Sequence, residues 1–150
     1  MHRREFVRVT LGAGLAVAAA PSLLRALGAA VKMTVYKSPS CGCCTDWVTY
    51  MKGQGFTAEV KDLNDLSDIK RSMGVPAKLE SCHTAIVGAY VIEGHVPADL
   101  VKKILAEKPK IVGLAVPGMP VDAPGMGSGK TPYEVISCDK AGKTSVFAKR

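Results

Sequence analysis

Three cysteines within four residues, Cys41-Gly42-Cys43-Cys44, stand between a strand-like run and a helix-like one, and they constrain this chain more than any other feature. Met33 to Lys37 is a short β-branched and aromatic stretch, which predicts a first strand, and Ser38-Pro39-Ser40 breaks it. Beyond the break, Cys44, Trp47, Val48 and Met51 fall at i, i+3, i+4 and i+7, one apolar stripe of a helix over Gly42 to Lys52. Gly53 and Gly55 end that helix. The cysteines therefore open a helix directly after a strand. There the free backbone N–H groups and the positive end of the helix dipole stabilise a thiolate at Cys41.

The downstream pattern continues in the same alternation. Phe56 to Val60 predicts a second strand. Asn64 or Asp65 caps a helix with a buried face of Leu66, Ile69 and Met73, followed by Gly74 and Pro76. Thr84 to Val87 and Tyr90 to Glu93 predict two strands around a Gly88-Ala89 turn of type II′. Pro97 suits the first turn of a helix whose core face is Leu100, Val101, Ile104 and Leu105, with Pro109 after it. Strand, helix, strand, helix, strand, strand, helix is the order of an α/β domain of thioredoxin-like, or glutaredoxin-like, type. From about residue 111 the texture changes to a Pro/Gly loop, Val116 to Met126, and then to a hairpin of Tyr133 to Ser137 and Thr144 to Ala148. We expect this tail to be an extension covering the domain.

The first thirty residues read differently. Arg3, Arg4 and Arg8 precede an apolar run from Val9 to Ala20, too short to span roughly 30 Å of hydrocarbon, and small residues follow at Ala18–Ala20 and Gly28–Ala30. This predicts an export signal over 1–30, and Arg3-Arg4 resembles the twin-arginine type. The expected mature part, 31–150, is periplasmic and keeps no stable membrane anchor after cleavage. Of the formal net charge of +7, +3 belongs to residues 1–30 and +4 to the remainder. With one Trp and no basic run interleaved with aromatics, nucleic-acid binding has little support.

All five cysteines lie in the expected mature part: Cys41, Cys43, Cys44, Cys82 and Cys138. Cys41 and Cys44 alone make the C-x-x-C of a redox dithiol, which has no need of Cys43. Three thiolates within a helical turn repel one another unless a soft cation bridges them. Cys82-His83 precedes the third strand, and in a thioredoxin-like fold that loop borders the first helix, so Cys82 supplies a fourth thiolate. Four thiolates hold one Zn²⁺ in a closed tetrahedron or bridge several Cu(I) ions, and the close C-x-C-C spacing suits bridging. The plainer alternative is a single disulfide, Cys41–Cys44 or Cys44–Cys82. His83 is a further ligand candidate, or a hydrogen-bond partner of a sulfur. Met119 and Met126, in exposed Pro/Gly surroundings, are thioether candidates. His95 reads as a turn residue, with a metal role as the lesser alternative, Trp47 as core and Cys138 as a buried core thiol. Gly125-Met-Gly-Ser-Gly-Lys-Thr131 is a phosphate-loop decoy: its spacing is one residue short, and Pro132 keeps Thr131 from starting a helix.

Several segments stand together in order: Tyr36-Lys-Ser-Pro-Ser-Cys-Gly-Cys-Cys44, Gly74-Val-Pro76, Ser81-Cys-His-Thr84, Val91-Ile-Glu-Gly-His-Val-Pro97 and Gly113-Leu-Ala-Val-Pro-Gly-Met-Pro120. In these the chain resembles the CopG-like family of periplasmic copper-resistance proteins, over about Met33 to Phe147. Two positions depart from the pattern, Asp122-Ala123 before Pro124 and Cys138 in the terminal hairpin. The resemblance implies a thioredoxin-like fold, Cu(I) held by Cys41, Cys43, Cys44 and Cys82, and a role in copper handling or copper redox chemistry. Expected partners are copper ions and, beyond them, periplasmic copper chaperones or efflux components. The competing activity is a thiol-disulfide oxidoreductase with Cys41 as attacking thiolate. A redox enzyme that depends on copper is a hybrid of the two.

Overall fold

The structure, a computed structural model, describes residues 29–127 and 129–150. The predicted export signal lies almost wholly outside the described residues. Among those described, no helix is long and apolar enough to cross a membrane.

Seven strands form one sheet in the order β2-β1-β3-β4-β5-β6-β7. They are β1 Val31–Lys37, β2 Phe56–Asp62, β3 His83–Val87, β4 Tyr90–Glu93, β5 Gly113–Ala115, β6 Glu134–Cys138 and β7 Thr144–Lys149. Helix α1 (Gly42–Gly53) crosses between the parallel strands β1 and β2, α2 (Ser67–Ser72) leads towards β3, and α3 (Ala98–Glu107) follows β4. β3 runs antiparallel to both β1 and β4. The element order predicted from Met33 to Glu107 is the observed one, with a short 3-10 turn at Ala77–Leu79 added before β3.

Side chains alternate across a strand, so the sheet has two distinct faces. Met33 and Val35 of β1, Ala85 and Val87 of β3, and Ile92 of β4 bury one face against Trp47, Val48 and Met51 of α1 and Leu100, Val101 and Ile104 of α3. The predicted stripes of α1 and α3 are this core, with Leu105 only half-buried. The opposite face carries α2 and a smaller cluster of Leu79, Ala115 and Cys138.

Two expectations need correction. Helix α2 is only six residues long, and Leu66, Ile69 and Met73 are half-buried; its buried residue is Lys70. A charged end is tolerated there because a carboxylate of the sheet receives it, as described below. Asp65 does accept the Ser67 N–H at 2.8 Å, at the entry to the helix. The tail, expected to cover the domain, instead lengthens the sheet. β5 pairs parallel with β4, and the hairpin β6–β7 adds to β5. β5 has three residues, too few for a periodicity, and begins at Gly113, where a side chain would run into the Val91 backbone.

Candidate metal centre

The turn between β1 and α1 is built by local hydrogen bonds. The buried Lys37 ammonium donates to the Ser38 carbonyl at 3.0 Å and pairs with Asp62 at 3.1 Å. The Cys41 N–H returns to the Ser38 carbonyl at 3.1 Å. Cys41 then occupies the N-cap of α1 in an extended conformation, and Gly42 begins the helix. Cys41 and Cys44 are joined by a disulfide, one of the pairings left open by the sequence, and neither titrates in that state. Cys43 is a free thiol whose Sγ lies 3.5 Å from that of Cys41.

Cys82 arrives from a distant part of the chain. Lys37 pairs with His83 in the β1–β3 ladder, so the end of β1 and the start of β3 lie side by side. Cys44 Sγ contacts the Cys82 carbonyl at 3.7 Å across 38 residues of chain. The result is a cluster of Cys41, Cys43, Cys44 and Cys82 whose sulfur atoms all lie within 4.8 Å of one another. Burial, reinforced by the neighbouring Cys43, pushes the Cys82 thiol up to about 11.

Two histidines share Cys82. Its Sγ lies 3.3 Å from His83 Nδ1 and 3.1 Å from His95 Nε2, and the three residues form a second donor group within 4.8 Å. His95 Nδ1 faces the Pro124 carbonyl at 2.7 Å. A carbonyl only accepts, so Nδ1 carries the proton, and Nε2 of the neutral ring presents its lone pair to Cys82. A backbone carbonyl held by the far ring nitrogen is how metal-binding histidines are usually oriented. The Cys82 S–H then points to His95, and His83 Nδ1 donates to the sulfur. That leaves His83 Nε2 buried without a partner, stacked near Trp47 at a centroid distance of 4.4 Å. Burial, together with the nearby His95, Lys70 and Lys37, lowers the His83 pKa to about 3. Burial also lowers that of His95, with the Pro124 carbonyl acting the other way.

His95 does lie in the bend between β4 and α3, but it is fully buried and in the donor group. The hairpin itself carried the signal. With the turn at Gly88-Ala89 and Thr84 opposite Glu93, extending the register two residues places Cys82 opposite His95. Close packing there requires Gly94, with φ of 69° and no room for a Cβ, which would lie 2.5 Å from Ser81 Oγ and 2.8 Å from the Val116 carbonyl.

The Pro/Gly loop reaches the site through backbone. Gly125, with φ of 82°, packs on the middle of α1, where a Cβ would lie 2.6 Å from the Trp47 nitrogen. Its neighbour Pro124 holds His95. Met119 is 45% exposed, as expected. Met126, expected to be exposed, is half-buried against the main core, because the loop folds onto α1. Cys138 is buried with Leu79 and Ala115, apart from the four clustered cysteines. Among the described residues 129–133 no helix follows the phosphate-loop decoy, and β6 begins at Glu134.

Two free thiols, the two further sulfurs that reduction of the Cys41–Cys44 disulfide would release, and a neutral imidazole lone pair are soft or borderline donors, suited to cuprous copper and zinc and poor for hard oxygen-seeking cations. Fold and site together define a class: mixed α/β proteins that gather cysteines from a strand-to-helix turn and from a neighbouring hairpin into a soft-metal donor set. A family model described as "Protein of unknown function, DUF411" matches residues 79–126. Two solved structures of a copper resistance protein CopG, Form 2 and Form 1, are each 38% identical to the chain. Each covers 80% of it at a TM-score of 0.75, and the match spans 98% and 97% of the CopG chains. The chain belongs to this CopG-like copper-resistance family. No curated protein matches it.

Proposed function

We propose that the protein binds Cu(I) in the periplasm as part of copper resistance, holding it in a multinuclear cluster of cysteine thiolates. The observation that carries this reading is the convergence of four cysteine sulfurs within 4.8 Å from two segments of chain. A simple dithiol enzyme needs two of them. Cys41, Cys43, Cys44 and Cys82 are the ligands, with His95 Nε2, and His83 beside it, completing the shell at Cys82. A binding cation would displace the Cys82 S–H proton to solvent, and the thiolate and the His95 lone pair would then face the same ion. Zinc is the competing metal. The β1–α1–β2 and β3–β4–α3 units, with α1 bridging a parallel pair and cysteines at its N-terminus, support a thioredoxin-like reading of the domain. The expected periplasmic location rests on the predicted signal over 1–30, and copper chaperones or efflux components are the expected exchange partners.

A second reading is favoured by the Cys41–Cys44 disulfide: a thiol-disulfide oxidoreductase with Cys41 as the attacking thiolate. Metal content and X-ray absorption on protein purified anaerobically from copper-fed cells test the first reading. Sulfur-coordinated Cu(I) at more than one ion per chain is expected, and metal-free protein that turns over disulfides would replace that reading with the second. Export is tested separately. Arg3→Lys with Arg4→Lys traps the chain in the cytoplasm if the twin-arginine route is used, and unchanged periplasmic levels remove that route.

A further inference from the structure

On the sheet face away from the histidines lies a buried ion pair that the copper site does not include. Thr84 and Glu93 are opposite one another on β3 and β4. By strand alternation they point away from the face that holds His83 and Trp47. Glu93 is 2% exposed and Lys70, from α2, is 5% exposed. The Lys70 ammonium contacts Glu93 Oε1 and donates to Thr84 Oγ1 at 3.0 Å. Thr84 Oγ1 in turn donates to Glu93 Oε2 at 2.7 Å. The remaining bond leads to the metal centre: Glu93 Oε1 accepts the backbone N–H of Ser81 at 2.6 Å. Ser81 immediately precedes Cys82, and Thr84 immediately follows His83.

Stability alone is a poor account of this arrangement. Replacing a buried ion pair by apolar residues of similar volume is often neutral or stabilising, because desolvating two charges offsets most of their attraction. The geometry suggests a different use. One carboxylate grips both flanks of the Cys82-His83 dipeptide, and through its own backbone it continues into Gly94 and His95. Gly94 completes the clamp, since its N–H donates to the His83 carbonyl at 2.9 Å and a Cβ in its place would strike the Ser81 side chain. We propose that Glu93, held by Lys70, is a positioning residue for the donor group, setting Cys82 against His95 and the α1 cysteines from the opposite face of the sheet. Its effect on copper rests on the Cu(I) reading above, whereas its effect on Cys82 does not.

Two double variants separate positioning from folding. Lys70→Met with Glu93→Leu keeps the volume and removes the acceptor of the Ser81 N–H. Lys70→Met with Glu93→Gln removes both charges but keeps an amide oxygen for that N–H. If Glu93 positions Cys82, the Leu variant folds, loses Cu(I) affinity by about 10–100-fold in anaerobic chelator competition, and alkylates faster at Cys82 in the metal-free reduced protein. The Gln variant stays within a few-fold of wild type on both measures. Equal behaviour of the two variants, or wild-type values in the Leu variant, overturns the proposal. If wild type binds no Cu(I), the copper reading fails, and Cys82 alkylation still decides whether Glu93 positions it. Should the Leu variant not fold, hydrogen exchange of the Ser81 amide in wild type decides: strong protection is expected, and exchange at the rate of open backbone overturns the clamp.

Discussion

Acidification should destabilise the metal-free protein in a window set largely by His83. The ring is fully buried, and its pKa of about 3 lies well below the ordinary 6.5 that it regains on unfolding. As pH falls through 6.5 the unfolded chain takes up a proton there and the native chain does not. The contribution of this residue is therefore complete above pH 6.5 and is lost progressively as pH falls towards 3. Three to four pH units at about 1.36 kcal/mol each amount to about 5 kcal/mol, comparable to the whole stability of many domains. His95, also lowered by burial, adds to the same slope.

The assay is urea unfolding of metal-free protein between pH 3.5 and 7, for wild type and His83→Phe. Carboxylates titrate in both proteins and cancel in the comparison. Wild type should lose up to about 1.4 kcal/mol per pH unit more than the variant across the window. The His83 ring resonances in NMR should hold their neutral positions down to pH 4. Equal slopes, or a His83 titration near pH 6.5, would refute the reasoning: the ring would then be solvated, or its unpartnered Nε2 would have found an acid partner.

Other expectations follow from the donor geometry. Cys82→Ser exchanges a soft thiolate for a hard hydroxyl, so Cu(I) retention against a chelator should fall sharply, while Cys138→Ser, set among Leu79 and Ala115, should retain copper nearly as wild type. The reverse order would discard the ligand assignment. Cys43→Ser should lower the copper-to-protein ratio, measured by metal analysis, and leave any Cys41–Cys44 disulfide exchange intact. A variant with full copper content would favour the dithiol enzyme. Gly125→Ala forces a side chain into a left-handed position against the Trp47 backbone. It should cost at least about 1–2 kcal/mol in urea unfolding and weaken Cu(I) binding by releasing Pro124 from His95. Unchanged stability and affinity would show that the loop is no part of the site.

The parts legible in sequence are those where one periodicity decides. The stripe of Cys44, Trp47, Val48 and Met51 and the β3–β4 hairpin each announce themselves within a dozen residues, and they carry Cys41 and Cys82 to one end of the sheet. What escaped depends on partners remote in sequence. Lys70 looks like a solvated helix residue until Glu93 and Thr84 supply a buried partner, and Glu93 looks like a strand end. β5 is recognisable only by the strands beside it. His95 was within reach: extending the hairpin register past Glu93 sets it across from Cys82, but a histidine before Val-Pro reads locally as a turn.

The disulfide links the two functional readings. Cys41 and Cys44 are bonded to each other here, and a sulfur in a disulfide has no thiolate to offer a metal. The oxidised site is left with Cys43, Cys82 and the histidines, too few sulfurs to bridge a cluster from both sides of the turn. Two electrons from a thiol reductant, with two protons, restore both thiols, and the four-sulfur set becomes available only then. On the proposed Cu(I) reading, copper loading and disulfide chemistry would be alternative states of one set of atoms. A copper titration should therefore depend on the thiol count at the start: reduced protein loads, and oxidised protein loads only as far as Cys43, Cys82 and His95 allow. The two histidines lie on the Cys82 side, outside the disulfide. Their contacts to Cys82 involve neither disulfide sulfur, so reduction of the α1 cysteines should leave them in place and change only the other wall of the site.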